Sequence, residues 1–375
     1  MNIYKNIIFS ILLSLLVFSS CTNSYAPGED VATIPDDTIT VPETEALLRF
    51  INNSGDYINS KSAPSLVSAQ NVYDNLGSYL IIDIRSTEKY VNGHINGAIH
   101  KEMPEVISYL SQEVAASVYD KLVIVCNNGQ SSAYTASVLR LIGYSNAYSM
   151  SYGMSSWNKS LDLWSSKLSS SYIGKLEQKT NPVEGMHDYP KLNTGKRCGA
   201  EILQARGNTL LNTPFRKLKI SAERVFKEYD DFYIINIWPK DRYDVGHIPG
   251  AYQYTPRKDI NSNTLLNTIP SDKKIIVYGY TGQSSAFMTA YLRLLGYNAF
   301  TLPYGANSFM YNTLKLRNWN AFSVADKVND FPLVKGSKPS NDSLKKKINS
   351  TQQRKKEAKK PIIKRKKKEV EGGCG

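Results

Sequence analysis

The sequence predicts an α/β protein in which one small parallel-sheet domain, flanked by helices, occurs twice in tandem. Two observations carry this. The first is Lys121 to Tyr144, K-L-V-I-V-C-N-N-G-Q-S-S-A-Y-T-A-S-V-L-R-L-I-G-Y. A short apolar run gives way there to a glycine-containing turn, then to a helix-like segment that stops at Gly143. The second is that this pattern returns 153 positions later, from Lys274 to Tyr297, with 11 of 24 positions identical. Strand, tight loop and helix make the unit of a parallel sheet, and a unit recurring at fixed spacing indicates a duplicated fold.

Residues 1–20 read as a secretory signal. Lys5 lies in a short polar start, an apolar run extends from Ile7 to Phe18, and Ser19 and Ser20 precede Cys21. The run is too short for a spanning helix of about 20 residues. Residues 21–60 begin as a tether rich in Pro, Asp and Thr and continue into a short helical pattern, Glu43 to Ile51.

The first domain, residues 61–165, has a helix start at Ser68-Ala69, before Val72 and Tyr73. Tyr79 to Ile84 is a buried-strand run with Asp83 near its end, and Tyr90 to Ala98 is a glycine-punctuated loop. Leu122 to Val125 is a strand, Ser131 to Ile142 a helix and Ala147 to Met150 a further strand, after which Tyr152-Gly153 turns the chain towards Trp157.

Residues 166–210 read as a linker from their Ser, Lys, Gly and Pro content, with one helix near Glu201 to Ala205. Cys198 in this linker reads as an unpaired thiol, the alternative being a disulfide to Cys126 or Cys374 outside the cytoplasm. The second domain, residues 211–330, repeats the first: Ser221-Ala222, the run Ile234 to Ile237, the loop Tyr243 to Ala251, and Tyr304-Gly305. It departs where chemistry would reside. Cys126 is matched by Gly279, Asp83 by Asn236 and Arg85 by Trp238.

Residues 331–375 form a basic tail. Lys335 to Gly375 holds 15 Lys and Arg against 4 Asp and Glu, whereas the rest of the chain holds 31 against 29. The basicity therefore belongs to the tail and not to the body. So few apolar residues cannot bury enough surface to fold, and disorder is expected. Such a tail suits anionic lipid headgroups; a secretory signal argues against nucleic acid. No CxxC pair exists and the chain has 4 His, so neither a metal site nor a cofactor is expected.

Cys126 stands where a strand ends and a helix begins, the crevice in which open parallel sheets place their ligands. Free backbone N–H groups of the loop and helix start favour an anionic sulfur, the reactive form. The competing reading of the same position is a small buried hydrophobe.

Taken together, these residues resemble a tandem rhodanese, a sulfurtransferase fold. The matching pieces are Asp83-x-Arg85 with Glu88-x-Tyr90, Gly93-His94-Ile95-x-Gly97-Ala98, the loop Cys126-x-x-Gly129 before a helix ending at Gly143-Tyr144, and Gly153 followed by Trp157. The resemblance covers about residues 60–165 and 210–325. It implies two tandem rhodanese-like domains, the second inactive with Gly279, packed against the first and shaping its crevice. Cys126 would be the catalytic nucleophile of a thiosulfate sulfurtransferase-like enzyme. It would take sulfur from a small-molecule donor as a persulfide and pass it to a thiol or cyanide acceptor. Asn127, Asn128, Gly129, Gln130, Ser131 and Ser132 would form the cradling loop, and Asp83, Arg85 and His94 would hold local structure.

Two refinements follow. Related phosphatases use C-x5-R, but the residue six after Cys126 is Ser132, which argues against phosphate chemistry. The uncharged loop suits a neutral persulfide or thiol donor better than thiosulfate. The rival expectation is a non-catalytic binding or scaffold module. Finally, Cys21 after Ser-Ser resembles the lipobox of bacterial lipoproteins. That resemblance implies acylation of Cys21 and a protein of the cell envelope, lipid-anchored to a membrane outside the cytoplasm.

Overall fold

The computed structural model describes residues 41–336. The expected signal, the lipidation site Cys21 and the Lys-rich tail beyond residue 336 lie outside the described residues. Among those described, no helix is long and apolar enough to cross a membrane.

Two all-parallel sheets form the scaffold. The first comprises β1 (Leu66–Val67), β2 (Tyr79–Asp83), β3 (Ile99–His100), β4 (Lys121–Val125) and β5 (Ala147–Met150), in the order β1-β5-β4-β2-β3. The second comprises β6 (Phe232–Asn236), β7 (Ala251–Gln253), β8 (Lys274–Tyr278) and β9 (Ala299–Thr301), in the order β7-β6-β8-β9. Shifted by the repeat spacing, the two orders coincide. β1 alone lacks a full counterpart; a single parallel bridge, Lys219 to Thr301, stands in its place. The central strands β2 and β6 are buried at every position, which is why they read as unbroken apolar runs rather than alternating ones.

The repeated Ser-Ala pair is a helix cap in both copies. The Ser68 hydroxyl accepts from the Asn71 amide at 3.1 Å and the Ser221 hydroxyl from the Arg224 amide at 3.3 Å. Each satisfies one of the orphan donors of its helix.

The two helices that follow the central loops, Gln130–Leu141 and Gln283–Leu294, pack on each other. Both are buried on nearly every side, so neither shows the polar face of a surface helix. The Ser137 hydroxyl donates to the Phe287 carbonyl across the junction at 2.9 Å. One apolar cluster runs through both repeats, joining Val138 and Ile142 to Leu203, Leu210, Phe287 and Tyr291. Each fully buried side chain of this size is worth about 1.5–3 kcal/mol, so the repeats share a core.

The helix expected near Glu201 to Ala205 runs from Gly199 to Leu211 and joins this cluster. Gly207 allows the approach, since a Cβ there would stand 2.8 Å from Ile142 Cγ2. Cys198, read from sequence as an unpaired thiol, is disulfide-bonded, whereas Cys126 is free.

The segments leaving each repeat cross to the other. The one after the first repeat reaches the second, where Glu177 and His247 exchange both backbone hydrogen bonds at 2.9 Å. The one after the second returns to the first, where Val334 and His94 do the same at 2.9 Å. On the way back Phe331 stacks on Tyr73 with ring centres 4.2 Å apart, and the Trp157 indole donates to the Pro332 carbonyl at 3.0 Å. Residues 331–336, assigned from sequence to the tail, thus form part of a packed strap.

Candidate active site

β4 ends at Val125 and delivers Cys126 to the mouth of the Gln130–Leu141 helix. The backbone amides of Gly129 and Ser132 donate to the Cys126 sulfur at 3.2 and 3.4 Å. The thiol in turn donates to the Ser132 hydroxyl at 3.2 Å, and that hydroxyl pairs with Ser149 at 2.8 Å. Gly129 adopts the left-handed conformation, φ 84°, that lets the loop close on the sulfur. Two N–H groups and a rotatable hydroxyl therefore converge on one atom, an arrangement suited to hold negative charge on sulfur.

The loop rests on Gly153. A Cβ there would collide with the Cys126 carbonyl oxygen and stand 2.6 Å from the Gly129 nitrogen and 2.8 Å from the Asn128 nitrogen. With φ 60° and ψ −149°, the position also belongs to backbone that only glycine adopts readily. The repeated Tyr-Gly dipeptide at 152 and 304 was the sequence signal for this support.

The other expected loop residues divide. Asn127 turns its carbonyl to the Ser155 amide at 3.0 Å and stays half-buried. Asn128 reaches across to the second repeat, its amide donating to the Tyr304 hydroxyl at 3.0 Å. Ser131 is half-buried, its carbonyl taken by Thr135 at 2.9 Å. Gln130 turns its side chain away from the loop: its oxygen accepts from the Tyr304 backbone amide at 3.1 Å and so links the repeats.

Asp83, Arg85 and His94 stand beside the loop as structure. The buried Arg85 guanidinium is bidentate on Asp83, at 2.6 and 2.9 Å, and donates to the Gly93 carbonyl at 2.7 Å. His94 Nδ1 bonds the Tyr90 carbonyl at 2.8 Å and its ring stacks on Tyr90 at 3.8 Å. His247 repeats both contacts on Tyr243, at 2.9 and 3.6 Å, in the copy without sulfur. A second repeat that keeps the histidine geometry without the cysteine marks these rings as framework.

Sequence reasoning missed the roof of the site. Trp164 is fully buried and its indole donates to the Asn128 carbonyl at 3.1 Å. Phe322 stacks on it at 5.1 Å, and Tyr152 and Tyr304 meet its edge at 5.1 and 4.9 Å. Cys126 is accordingly only 2% exposed. Burial, with the nearby Cys126 and Asp162 charges adding to it, pushes the Tyr304 phenol above its ordinary value despite the hydrogen bond from Asn128. Tyr304 is thus a neutral phenol over the loop. Among the described residues no group of three or more His, Cys, Asp or Glu is placed to hold a metal ion.

In the second repeat the frame persists around a different centre. Ser285 pairs with Thr301 at 2.7 Å as Ser132 does with Ser149, and Gly305 supports Gly279 as Gly153 supports Cys126. The ion pair is gone; the Asn236 side chain accepts instead from the Trp238 amide at 2.8 Å.

The family model of the rhodanese-like domain matches residues 68–160 and 221–311. The chain is similar to the thiosulfate sulfurtransferase GlpE of Pseudomonas paraeruginosa, 34% identical over 77 residues, which cover 20% of this chain and 67% of that protein. It is equally similar to GlpE of Shewanella oneidensis, 34% identical over 82 residues, 22% of this chain and 78% of that protein. Among solved structures, a thiosulfate sulfurtransferase of Pseudomonas aeruginosa aligns over 80% of this chain and 49% of its own, at 12% identity and a TM-score of 0.25. SseA of Escherichia coli, titled among the 3-mercaptopyruvate sulfotransferases, aligns over 63% and 97%, at 16% identity and a TM-score of 0.22.

Proposed function

The chain belongs to the rhodanese-like family as a tandem of two such domains, and from that premise we propose that it is a sulfurtransferase working through a persulfide on Cys126. The observation that carries this reading is the convergence of the Gly129 and Ser132 amides on the Cys126 sulfur, at 3.2 and 3.4 Å.

In the first half-reaction the Cys126 thiolate attacks the outer sulfur of a donor. The bond between that sulfur and the rest of the donor breaks, and its electron pair leaves with the donor remainder. Cys126 then carries a persulfide anion, whose charge the loop amides and the Ser132 hydroxyl stabilise. In the second half-reaction a thiol or cyanide acceptor attacks the terminal sulfur and the Cys126 thiolate leaves. No general base is needed once the sulfur is ionised.

The nature of the donor follows from charge. No side chain from Asn127 to Ser132 is ionised, and the Arg85 guanidinium is committed to Asp83. A persulfide donor fits such a loop better than the thiosulfate dianion. A second reading, a binding module without turnover, is favoured by the burial of Cys126 beside a loop that Trp164 and Tyr304 bond at Asn128.

The test is to incubate the protein with persulfide and thiosulfate donors and weigh the Cys126 peptide. A gain of one sulfur atom, lost again on adding cyanide or a thiol, is the expected result. An unmodified peptide with every donor leaves only the binding module. We extend the proposal to location: acylation at Cys21 would hold the protein to a membrane outside the cytoplasm, with the basic tail against anionic lipid. Release of Cys21→Ala from the membrane fraction is expected, and its retention there defeats the anchor.

A further inference from the structure

Where the first repeat holds its sulfur, the second opens a cavity. Gly279, at the position of Cys126, lines a cavity of about 280 Å³ just beyond the carboxyl ends of β6 and β8. That is the place where open parallel sheets receive ligands. Its wall is apolar, built from Ile58 of the first repeat and Ile237, Phe287 and Met288 of the second.

Two arginines line the same cavity, Arg242 and Arg257. Arg242 is half-buried and held in place: it donates to the Tyr280 hydroxyl at 3.0 Å and lies over the Trp319 ring at 5.4 Å. Arg257 is exposed, in a left-handed backbone conformation with φ 64°. Among the described residues neither has a carboxylate within ion-pair distance. Two unpaired cations at one small apolar cavity call for an anion that also carries a hydrocarbon body.

We propose that the second repeat is a binding site for a small organic acid, its carboxylate on Arg242 and Arg257 and its hydrocarbon part against Ile237, Phe287 and Met288. At about 30 Å³ for a water-sized group, the cavity takes a molecule of on the order of ten non-hydrogen atoms. This site uses no sulfur and operates independently of Cys126. It also accounts for Gly279 in physical terms: without a side chain there, the crevice stays open for a ligand.

Benzoate is the probe, with the neutral isostere benzamide and inorganic phosphate as comparisons. Binding to the full chain is measured by calorimetry and by the Arg side-chain resonances in NMR. Benzoate is expected to bind at least about tenfold more tightly than benzamide, the usual worth of one charge-assisted contact. Arg242→Gln and Arg257→Gln are each expected to weaken benzoate about tenfold. Cys126→Ala is expected to leave benzoate affinity unchanged, which separates this site from the sulfur chemistry. Arg257 makes no hydrogen bond or ion pair among the described residues, so its substitution tests the site even if Arg242→Gln disturbs packing. Equal binding of benzoate and benzamide, phosphate in preference to benzoate, no benzoate binding, or unchanged affinity in the arginine variants would each overturn the proposal.

Discussion

Gln130 of the first repeat accepts a hydrogen bond from the backbone amide of Tyr304 in the second, at 3.1 Å. Gln283 returns the contact, accepting from the backbone amide of Tyr152. Both glutamines are buried, and each tyrosine immediately precedes the glycine on which its own repeat's central loop rests. The Gly-Gln-Ser-Ser block is shared by both repeats because it builds their junction, with or without a sulfur to hold.

A buried amide donor that loses its acceptor costs about 1–3 kcal/mol. Gln130→Ala and Gln283→Ala are therefore each expected to lower unfolding free energy by that amount, measured by chemical denaturation. Loss of the Gln283 contact also frees Tyr152 beside Gly153, so slower sulfur loading should accompany it. If both variants unfold like the wild type, the clamp has no energetic weight.

Ser132 and Ser285 occupy the same place in the two repeats, but only Ser132 faces a sulfur. Removing one hydroxyl that stabilises the persulfide anion is worth about 1.4 kcal/mol, or tenfold in rate. Ser132→Ala should slow formation of the Cys126 persulfide by about that factor in rapid-quench mass spectrometry, while Ser285→Ala leaves it unchanged. Equal effects from the two substitutions would assign Ser132 to the scaffold alone.

Much of this was legible in the sequence, and the reasons for what was not are physical. β2, β4 and their counterparts appear as unbroken apolar runs, and glycines punctuate the loops between them, so both repeats and the Cys126 loop can be read locally. β3 and β7, of two and three residues, are too short to show any period. Gln130 looks like one more polar loop residue, since nothing local tells a side chain facing the sulfur from one crossing to Tyr304. Trp164 and Phe322, which meet over Asn128, are separated by more than a hundred residues, and no periodicity reaches that far. The lone hint was the identity of Gln130 and Gln283 in a repeat that has lost its cysteine.

The Asp83–Arg85 pair is fully buried in the first repeat, and the second replaces both residues together, with Asn236 and Trp238. Breaking a buried ion pair from one side strands a charge and costs about 3–5 kcal/mol, whereas replacing both partners avoids that penalty. Asp83→Asn alone is expected to destabilise the protein by that amount. The double variant Asp83→Asn with Arg85→Trp, which imitates the second repeat, should recover at least half of the loss in a denaturant titration. A double variant worse than the single would show that the two environments are not interchangeable.

The straps predict how stability depends on pH. Glu177 crosses to the second repeat and stands 3.6 Å from the ring nitrogen of His247, while the corresponding strap on His94 presents the neutral Val334. Burial holds His247 below its ordinary value of 6.5, outweighing the Tyr243 carbonyl and the Glu177 charge. Burial would raise Glu177, but hydrogen bonds from the Asn181 side chain and the Gly250 amide, with His247 nearby, bring it below 4.5. Both groups have a lower value folded than unfolded, so in both cases the unfolded chain binds the proton first on acidification. The His247 contribution is complete above pH 6.5 and fades as pH falls through its depressed folded value. That of Glu177 is complete above pH 4.5 and fades below it. Unfolding free energy should therefore decline in two stages on the acid side, and Glu177→Gln should remove the lower stage while enlarging the upper one, because His247 loses the charge that raises it. Stability that rises between pH 6.5 and pH 5 would mean that His247 gains its proton on folding, and would reverse the assignment.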